Sequence, residues 1–276
     1  MKKLQIIGSV AALALIVWII MAGNSDKPQP TNSPTPSASS SVSPSPSTQP
    51  NITITSPTKN QYVDGVITVT GKARVFENQF TIQVKDSNGK IIATAHAMTD
   101  AKDAGLFGNY SVKLALPTTA TLNLKVESLA YSAKGDGSFE GYASADVKLR
   151  NLDTRTIYVA YVTSDDCTTF SLFKRDVLKT TQPGYLSLVE LLKGPTSAEK
   201  SQHAKDVIPS NVVINSLKQS GTTVNVDFDE TLQAGVAGSC RVQAIRSEIT
   251  NTLKQFPGFN NVVISINGKT EGILQP

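Results

Sequence analysis

The sequence predicts two folded regions of different class, an all-β sandwich followed by an α+β domain, behind an apolar N-terminal segment and a polar linker. Three observations carry this prediction. Apolar–polar alternation of period two, broken by regularly spaced turn residues, runs through residues 51–150. Strand patterns interrupted by two amphipathic helical stripes occupy residues 155–272. Residues 24–50 hold seven Pro and nine Ser, with Asp26 and Lys27 the only charges. The length of 276 residues suits about two domains.

At the N-terminus, Lys2 and Lys3 precede an apolar run from Ile6 to Ala22. A helix of that run would be about 25 Å long, near the short end for a membrane span. The run is longer than a typical signal-peptide core, Trp18 lies near its far end, and the small-residue cleavage pattern around Met21, Ala22 and Gly23 is weak. Residues 1–23 therefore read as a transmembrane anchor with a cytoplasmic N-terminus, the alternative being a cleaved signal peptide. In both cases the positive-inside rule places the rest of the chain outside. The protein is then a single-pass membrane protein, or a secreted one if cleavage occurs. The linker 24–50 cannot bury enough apolar surface to offset its chain entropy and reads as disordered. Its Pro content favours extended conformations that could reach on the order of 80 Å from the bilayer.

Net charge is +4, spread as +2 over residues 1–50, +2 over 51–150 and zero over 151–276. So thin and even a charge makes no nucleic-acid footprint.

Within 51–150, alternation appears at Ile52–Ile54, Val66–Thr70, Phe80–Val84, Tyr110–Leu116, Leu122–Val126 and Ala143–Leu149. Turn signals at Ser56-Pro57, Asp64-Gly65, Ser87-Asn88-Gly89, Leu116-Pro117 and Gly135-Asp136-Gly137 separate the runs. About seven short strands in this length predict two packed sheets. Within 155–272, Thr156–Val162 and Thr169–Val177 read as a hairpin, and Val212–Leu217 and Thr223–Phe228 as a second around Gln219-Ser220-Gly221. Tyr185, Leu188, Val189 and Leu192 form one helical stripe, opened at Gln182-Pro183-Gly184 and ended at Gly194-Pro195. Ser239 is the expected N-cap of a second helix with Val242, Ile245, Ile249, Leu253 and Phe256 on one face, ended by Pro257-Gly258. Val262–Ile266 closes the domain. The order β-β-α-β-β-α-β predicts one sheet with two helices on one face. The junction Asn151–Arg155 lacks Gly and Pro, which predicts a semi-rigid linkage.

The strings LLKGPT (191–196), IPSN (208–211), VNVDFDETL (224–232) and TLKQFPGFNNVVISINGK (252–269), in that order, resemble the GerMN domain of bacterial sporulation and germination proteins. GKARVFENQF (71–80), DSNGK (86–90), GLFGNYSVKL (105–114) and GDGS (135–138) resemble the immunoglobulin-like domain of bacterial spore germination proteins. The resemblance implies an immunoglobulin-like sandwich, a role in envelope assembly, sporulation or germination, and binding rather than catalysis.

Cys167 and Cys240 are the only cysteines. An even count in an exported region predicts one disulfide, worth about 4 kcal/mol in the chain-entropy picture. The rival is a reactive Cys240 thiol near a helix N-terminus. His96 and His203, the only histidines, lie in the sandwich region and in a polar loop of the second domain, so a base for such a thiol is poorly placed. Asp165, Asp166, Asp227, Asp229 and Glu230 are oxygen-rich but lack the spacing of a calcium loop, so they read as strand-end charges and caps rather than metal ligands. Lys174 and Arg175 read as edge-strand charges that block strand addition, or as contacts to an acidic partner or wall polymer. No nucleotide, hydrolase or zinc-protease motif is present, and no cofactor is implied.

The sequence therefore predicts a non-enzymatic, membrane-anchored envelope module whose partners are envelope proteins or a second copy of itself. The expected contacts are Lys174, Arg175, the hairpin tip at Gln219 and Ser220, and the acidic strand end Asp227, Asp229 and Glu230. The alternatives are an accessory subunit of a wall-active enzyme and a peptidoglycan-binding protein. The latter calls for exposed aromatics, and Tyr62, Phe76, Phe107, Tyr131, Phe139 and Tyr142 are expected mostly to fill the core.

Overall fold

The structure is a computed structural model that describes residues 50–275. The apolar segment 1–23 and residues 24–49 of the linker lie outside the described residues. Among the described residues no helix is long and apolar enough to cross a membrane.

The first domain contains β1 (Ile52–Ser56), β2 (Tyr62–Val63), β3 (Val66–Ala73), β4 (Gln79–Lys85), β5 (Ile91–Met98), β6 (Gly108–Ala115), β7 (Asn123–Tyr131) and β8 (Phe139–Leu149). One sheet has the order β1-β3-β6 and the other β2-β8-β7-β4-β5. The alternation works as expected: Ile52, Ile67, Val69, Ile82, Val84, Val126 and Val147 all point into one core. Tyr110 crosses that core edge-on to Phe80, and its hydroxyl donates to the Thr53 carbonyl at 2.9 Å. Gly71 makes the crossing possible, because a Cβ there would lie 1.9 Å from the Thr53 oxygen. Two strands are absent from the sequence reading: β2, which has only two residues, and β5, whose inner positions Ala93, Ala95 and Ala97 give a weak apolar signal.

The second domain contains β9 (Thr154–Val162), β10 (Phe170–Leu178), α1 (Pro183–Leu192), α2 (Ser197–Lys200), β11 (Ile214–Ser220), β12 (Thr223–Phe228), α3 (Ser239–Leu253) and β13 (Asn261–Ile266). A 3-10 turn at Glu230–Gln233 follows β12. Gly238, at φ +85°, takes the N-cap position of α3, so Ser239 is its first helical residue. The short α2 was not anticipated, although Thr196 and Glu199 form its capping box.

The expected single sheet is corrected to two, β10-β9 and β11-β12-β13. The cause is α3, which occupies the free edge of β9 with side chains. Gln255, just beyond α3, exchanges hydrogen bonds with Tyr158: its Oε1 accepts from the backbone N–H at 2.8 Å and its Nε2 donates to the carbonyl at 2.6 Å. Thr252 Oγ1 accepts from the Ala160 N–H at 2.9 Å, and Glu248 Oε1 accepts from the Val162 N–H at 2.9 Å. Residues 248, 252 and 255 fall on one helical face, while 158, 160 and 162 direct their N–H groups to one strand edge. The match satisfies buried backbone donors that would otherwise need another strand. Both sheets and the helices share a core containing Val159, Tyr161, Leu188, Val226, Phe228, Ile245 and Ile249.

Candidate interaction surfaces and the joint between the domains

The two domains form one compact unit. The joint is built around Asp64, in the turn before β3. Its Oδ1 accepts from the Thr180 hydroxyl at 2.9 Å, and its Oδ2 from the Thr181 N–H at 2.9 Å and hydroxyl at 3.0 Å. Burial acts to raise the Asp64 carboxyl, but hydrogen bonds from Thr181, Val66 and Thr180 outweigh it and hold the group below its ordinary range. Beside it the Gly65 N–H donates to the Lys179 carbonyl at 3.0 Å. A Cβ on Gly65 would stand 2.9 Å from both the Cβ and the carbonyl oxygen of Leu178, so the close approach requires glycine. Val66 and Ala115 from the sandwich pack with Ile157, Val177, Tyr185 and Leu186 from the second domain. The Tyr185 hydroxyl donates to the Lys113 carbonyl at 3.3 Å and is pushed up to about 12 by burial. The junction 151–155 is thus reinforced by contacts between residues far apart in sequence.

Cys167 and Cys240 form a disulfide with Cα atoms 5.2 Å apart, tying the β9–β10 loop to the first turn of α3. Neither cysteine is free. His203 lines a shallow depression of about 500 Å³ with Asp165, Lys205 and Thr163. Asp165 pairs with Lys205, and Asp166 accepts from Thr168 and Thr169 inside its own turn. Hydrogen bonds from Thr169 and Thr168 draw the Asp166 carboxyl down to about 2.

The expected contact residues divide into two groups. Arg175 turns inward and pairs bidentately with Glu199, the second bond being 2.8 Å, while its Nε lies 4.0 Å from Glu190. Glu199 also closes the α2 capping box, so one carboxylate ties α2 to β10. Burial acts to raise the Glu199 carboxyl, and the hydrogen bonds from Arg175 and Thr196 bring it below its ordinary value. The reading of Arg175 as an exposed edge charge is therefore corrected. Asp227 is similarly engaged: its Oδ1 accepts from Ser265 at 2.6 Å and Gly268 at 2.8 Å, and its Oδ2 from Asn215 at 3.1 Å. It thereby links β11, β12 and β13. Asp229 accepts from the Val213 N–H at 2.8 Å and the Thr231 hydroxyl at 2.5 Å. Gln219 donates to the carbonyls of Gly221 at 2.9 Å and Gly258 at 3.5 Å. Lys174, Ser220 and Glu230 remain exposed. Among the described residues no group of three or more His, Cys, Asp or Glu is placed to hold a metal ion.

A surface the sequence reading assigned to the core lies on the outer face of the five-stranded sheet. Tyr131, Phe139 and Tyr142 are 64%, 48% and 42% exposed. Their rings form a continuous tract, with centroids 5.1 Å and 5.4 Å apart. Tyr62 and Phe76 are exposed as well. The sandwich interior is filled by aliphatic residues and the Phe80–Tyr110 pair, which leaves these rings at outward positions and strand ends. At the end of the tract the Tyr142 hydroxyl donates to Glu127 at 2.9 Å, and Glu127 also takes Gln83 at 2.6 Å and Lys85 at 2.8 Å. Flat apolar rings therefore stand beside a fixed polar cluster.

Comparison with known families matches residues 51–138 to the immunoglobulin-like domain of bacterial spore germination. Residues 156–272 match the sporulation and spore germination domain. Among solved structures, the tandem GerMN domains of the sporulation protein GerM from Bacillus subtilis are 21% identical to this chain. That similarity covers 43% of this chain and 41% of that one, with a TM-score of 0.36. The first GerMN domain of the same protein is 20% identical, covering 41% of this chain and 85% of that one, with a TM-score of 0.34. This chain thus spans less than half the length of the first of these structures. No curated protein matches it.

Proposed function

The chain joins an immunoglobulin-like domain of bacterial spore germination to a sporulation and spore germination domain, and from that premise we propose that it is a non-catalytic, membrane-anchored interaction module of the bacterial cell envelope. It faces outward and serves spore formation or germination. The observation that supports this reading is the Asp64 joint, whose hydrogen bonds hold the two domains together, so that their surfaces would act as a single platform. The proposed tether sets how far from the membrane that platform reaches and how concentrated it is there. The contacts proposed for an envelope partner are the exposed Lys174, Ser220 and Glu230. Arg175, Asp227 and Asp229 hold the surface in shape through their internal bonds. The test is photo-crosslinking in cells from positions 174 and 220. Capture of a discrete envelope protein at both positions supports the reading, and capture of wall fragments alone contradicts it.

The aromatic tract favours a second reading, in which the sandwich binds the glycan of the cell wall. Sugar rings present flat C–H faces to aromatic rings and hydroxyls to groups such as those around Glu127. Co-sedimentation of the full chain with purified wall, lost in a Tyr131→Ala/Phe139→Ala/Tyr142→Ala variant that remains folded, is the outcome this reading requires.

A further inference from the structure

The chain enters the first domain beside the aromatic tract, and the entry point is fixed. Asn51 Nδ2 donates to the Glu140 carbonyl at 2.8 Å, Asn51 Oδ1 accepts from Arg74 Nη2 at 2.9 Å, and the Asn51 carbonyl accepts from the Arg74 N–H at 2.7 Å. A Cβ on Gly141 would stand 3.3 Å from the Asn51 Cβ. Glu140 and Gly141 separate Phe139 from Tyr142 in β8, so Asn51 sits against the stretch that carries two of the three rings. The direction of the chain is also set. From Asn51 at Glu140 it advances alongside β8 to Asn60, whose N–H donates to the Asp146 carbonyl at 2.7 Å. Followed backwards from Asn51, through the exposed Pro50, the chain points towards Phe139 and towards Tyr131, which pairs with Phe139 across β7 and β8.

We propose that the linker segment 43–49 docks on Tyr131, Phe139 and Tyr142 as an intramolecular strap over the tract. The segment reads Ser-Pro-Ser-Pro-Ser-Thr-Gln, is followed by Pro50 and carries no charge. Its chemistry suits the rings. Prolines pack flat C–H faces on aromatic side chains, and a Pro-rich segment already favours the extended form that such surfaces take, so docking costs little chain entropy. Seven residues at about 3.1 Å each reach on the order of 20 Å. The ring centroids are 5.1 Å and 5.4 Å apart, so the segment is long enough to cover all three. The clamp at Asn51 favours this occupant over a separate molecule. A segment held beside the rings meets them at an effective concentration in the millimolar range, which a partner in free solution has to match. A glycan that uses the same rings must displace the strap, so the two occupancies exclude each other.

The test uses the full chain in nanodiscs with p-benzoylphenylalanine in place of Tyr131, which keeps an aromatic ring in the tract. Irradiation is expected to give an adduct of monomer mass in which peptide mapping joins position 131 to residues 43–49. Pro44→Gly/Pro46→Gly keeps the length and the lack of charge of the segment but removes its preset extension, and is expected to lower the adduct yield severalfold. No adduct to 43–49, adducts only to a second chain or to another protein, or a yield unchanged by the two substitutions overturns the proposal. Wall co-sedimentation that depends on the three rings, found without the intramolecular adduct, also overturns it and leaves the glycan reading standing.

Discussion

The Glu248 carboxyl, on the buried face of α3, accepts the backbone N–H of Val162 at 2.9 Å and stands where the next strand of a sheet would be. Its second oxygen is buried without a hydrogen-bond partner. Burial first, and the nearby charge of Asp206 second, push the group up from 4.5 to about 8, against the Val162 hydrogen bond that acts to lower it. The native chain therefore keeps a proton that the unfolded chain releases as pH rises above 4.5.

Stability should consequently be greatest below about pH 4.5 with respect to this group, decline as pH rises, and level off above about pH 8. Glu248→Gln keeps an acceptor for Val162 and removes the titration. The variant is expected to match wild type near pH 4 and to exceed it at pH 8.5 by on the order of 4 kcal/mol. Urea unfolding at the two pH values measures this, and an unchanged pH dependence would show that Glu248 ionises freely in the native state.

Arg175 and Lys174 are neighbours in sequence with opposite expected consequences. Arg175→Ala leaves Glu199 without its guanidinium partner in a largely buried setting, while Glu190 keeps Lys193, and should cost about 2–4 kcal/mol. Lys174→Ala should change stability by less than about 0.5 kcal/mol while reducing partner capture. Equal losses from the two substitutions would contradict the inward placement of Arg175.

Asp64→Ala removes the acceptor of three hydrogen bonds from the second domain. A loss of about 2 kcal/mol is expected, together with separation of one calorimetric transition into two as the domains uncouple. Because the Asp64 carboxyl lies below its ordinary 3.8, its contribution holds above that pH and is lost as pH falls through the native value. Wild type and variant should therefore converge in acid.

Reducing the bond between Cys167 and Cys240 opens a loop with a sequence separation of 73. Cys167→Ser/Cys240→Ser should lose about 4 kcal/mol in chemical denaturation. Thiol titration of the denatured, unreduced chain should find no free thiol. A reactive thiol there would contradict the pairing.

Local signals carried much of this fold. Alternation located five of the six longer sandwich strands between β3 and β8, missing β5, and the stripe of Val242, Ile245, Ile249 and Leu253 located the buried face of α3. Strand β5 was hidden because alanine at its inner positions contrasts too weakly with Thr94 and His96. The division into two sheets was illegible because it depends on Glu248, Thr252 and Gln255 meeting a strand some ninety residues earlier, a match that no local periodicity encodes. Arg175 looked like a surface charge for the same reason: its partner Glu199 arrives on α2, whose capping-box spacing at Thr196 and Glu199 was the available clue. The outward aromatic tract was missed because ring size alone suggested core, whereas the core was already filled by aliphatic side chains.

The claim beneath these predictions is that the two domains act as one platform. Its most direct test is the distance distribution between spin labels on Ser144→Cys and Lys254→Cys, exposed positions in the first and second domains, measured by pulsed electron resonance in the full chain. One narrow distribution that broadens in Asp64→Ala is the predicted result. A broad distribution in the native chain, unchanged by the substitution, would show that the domains move independently and would contradict the account.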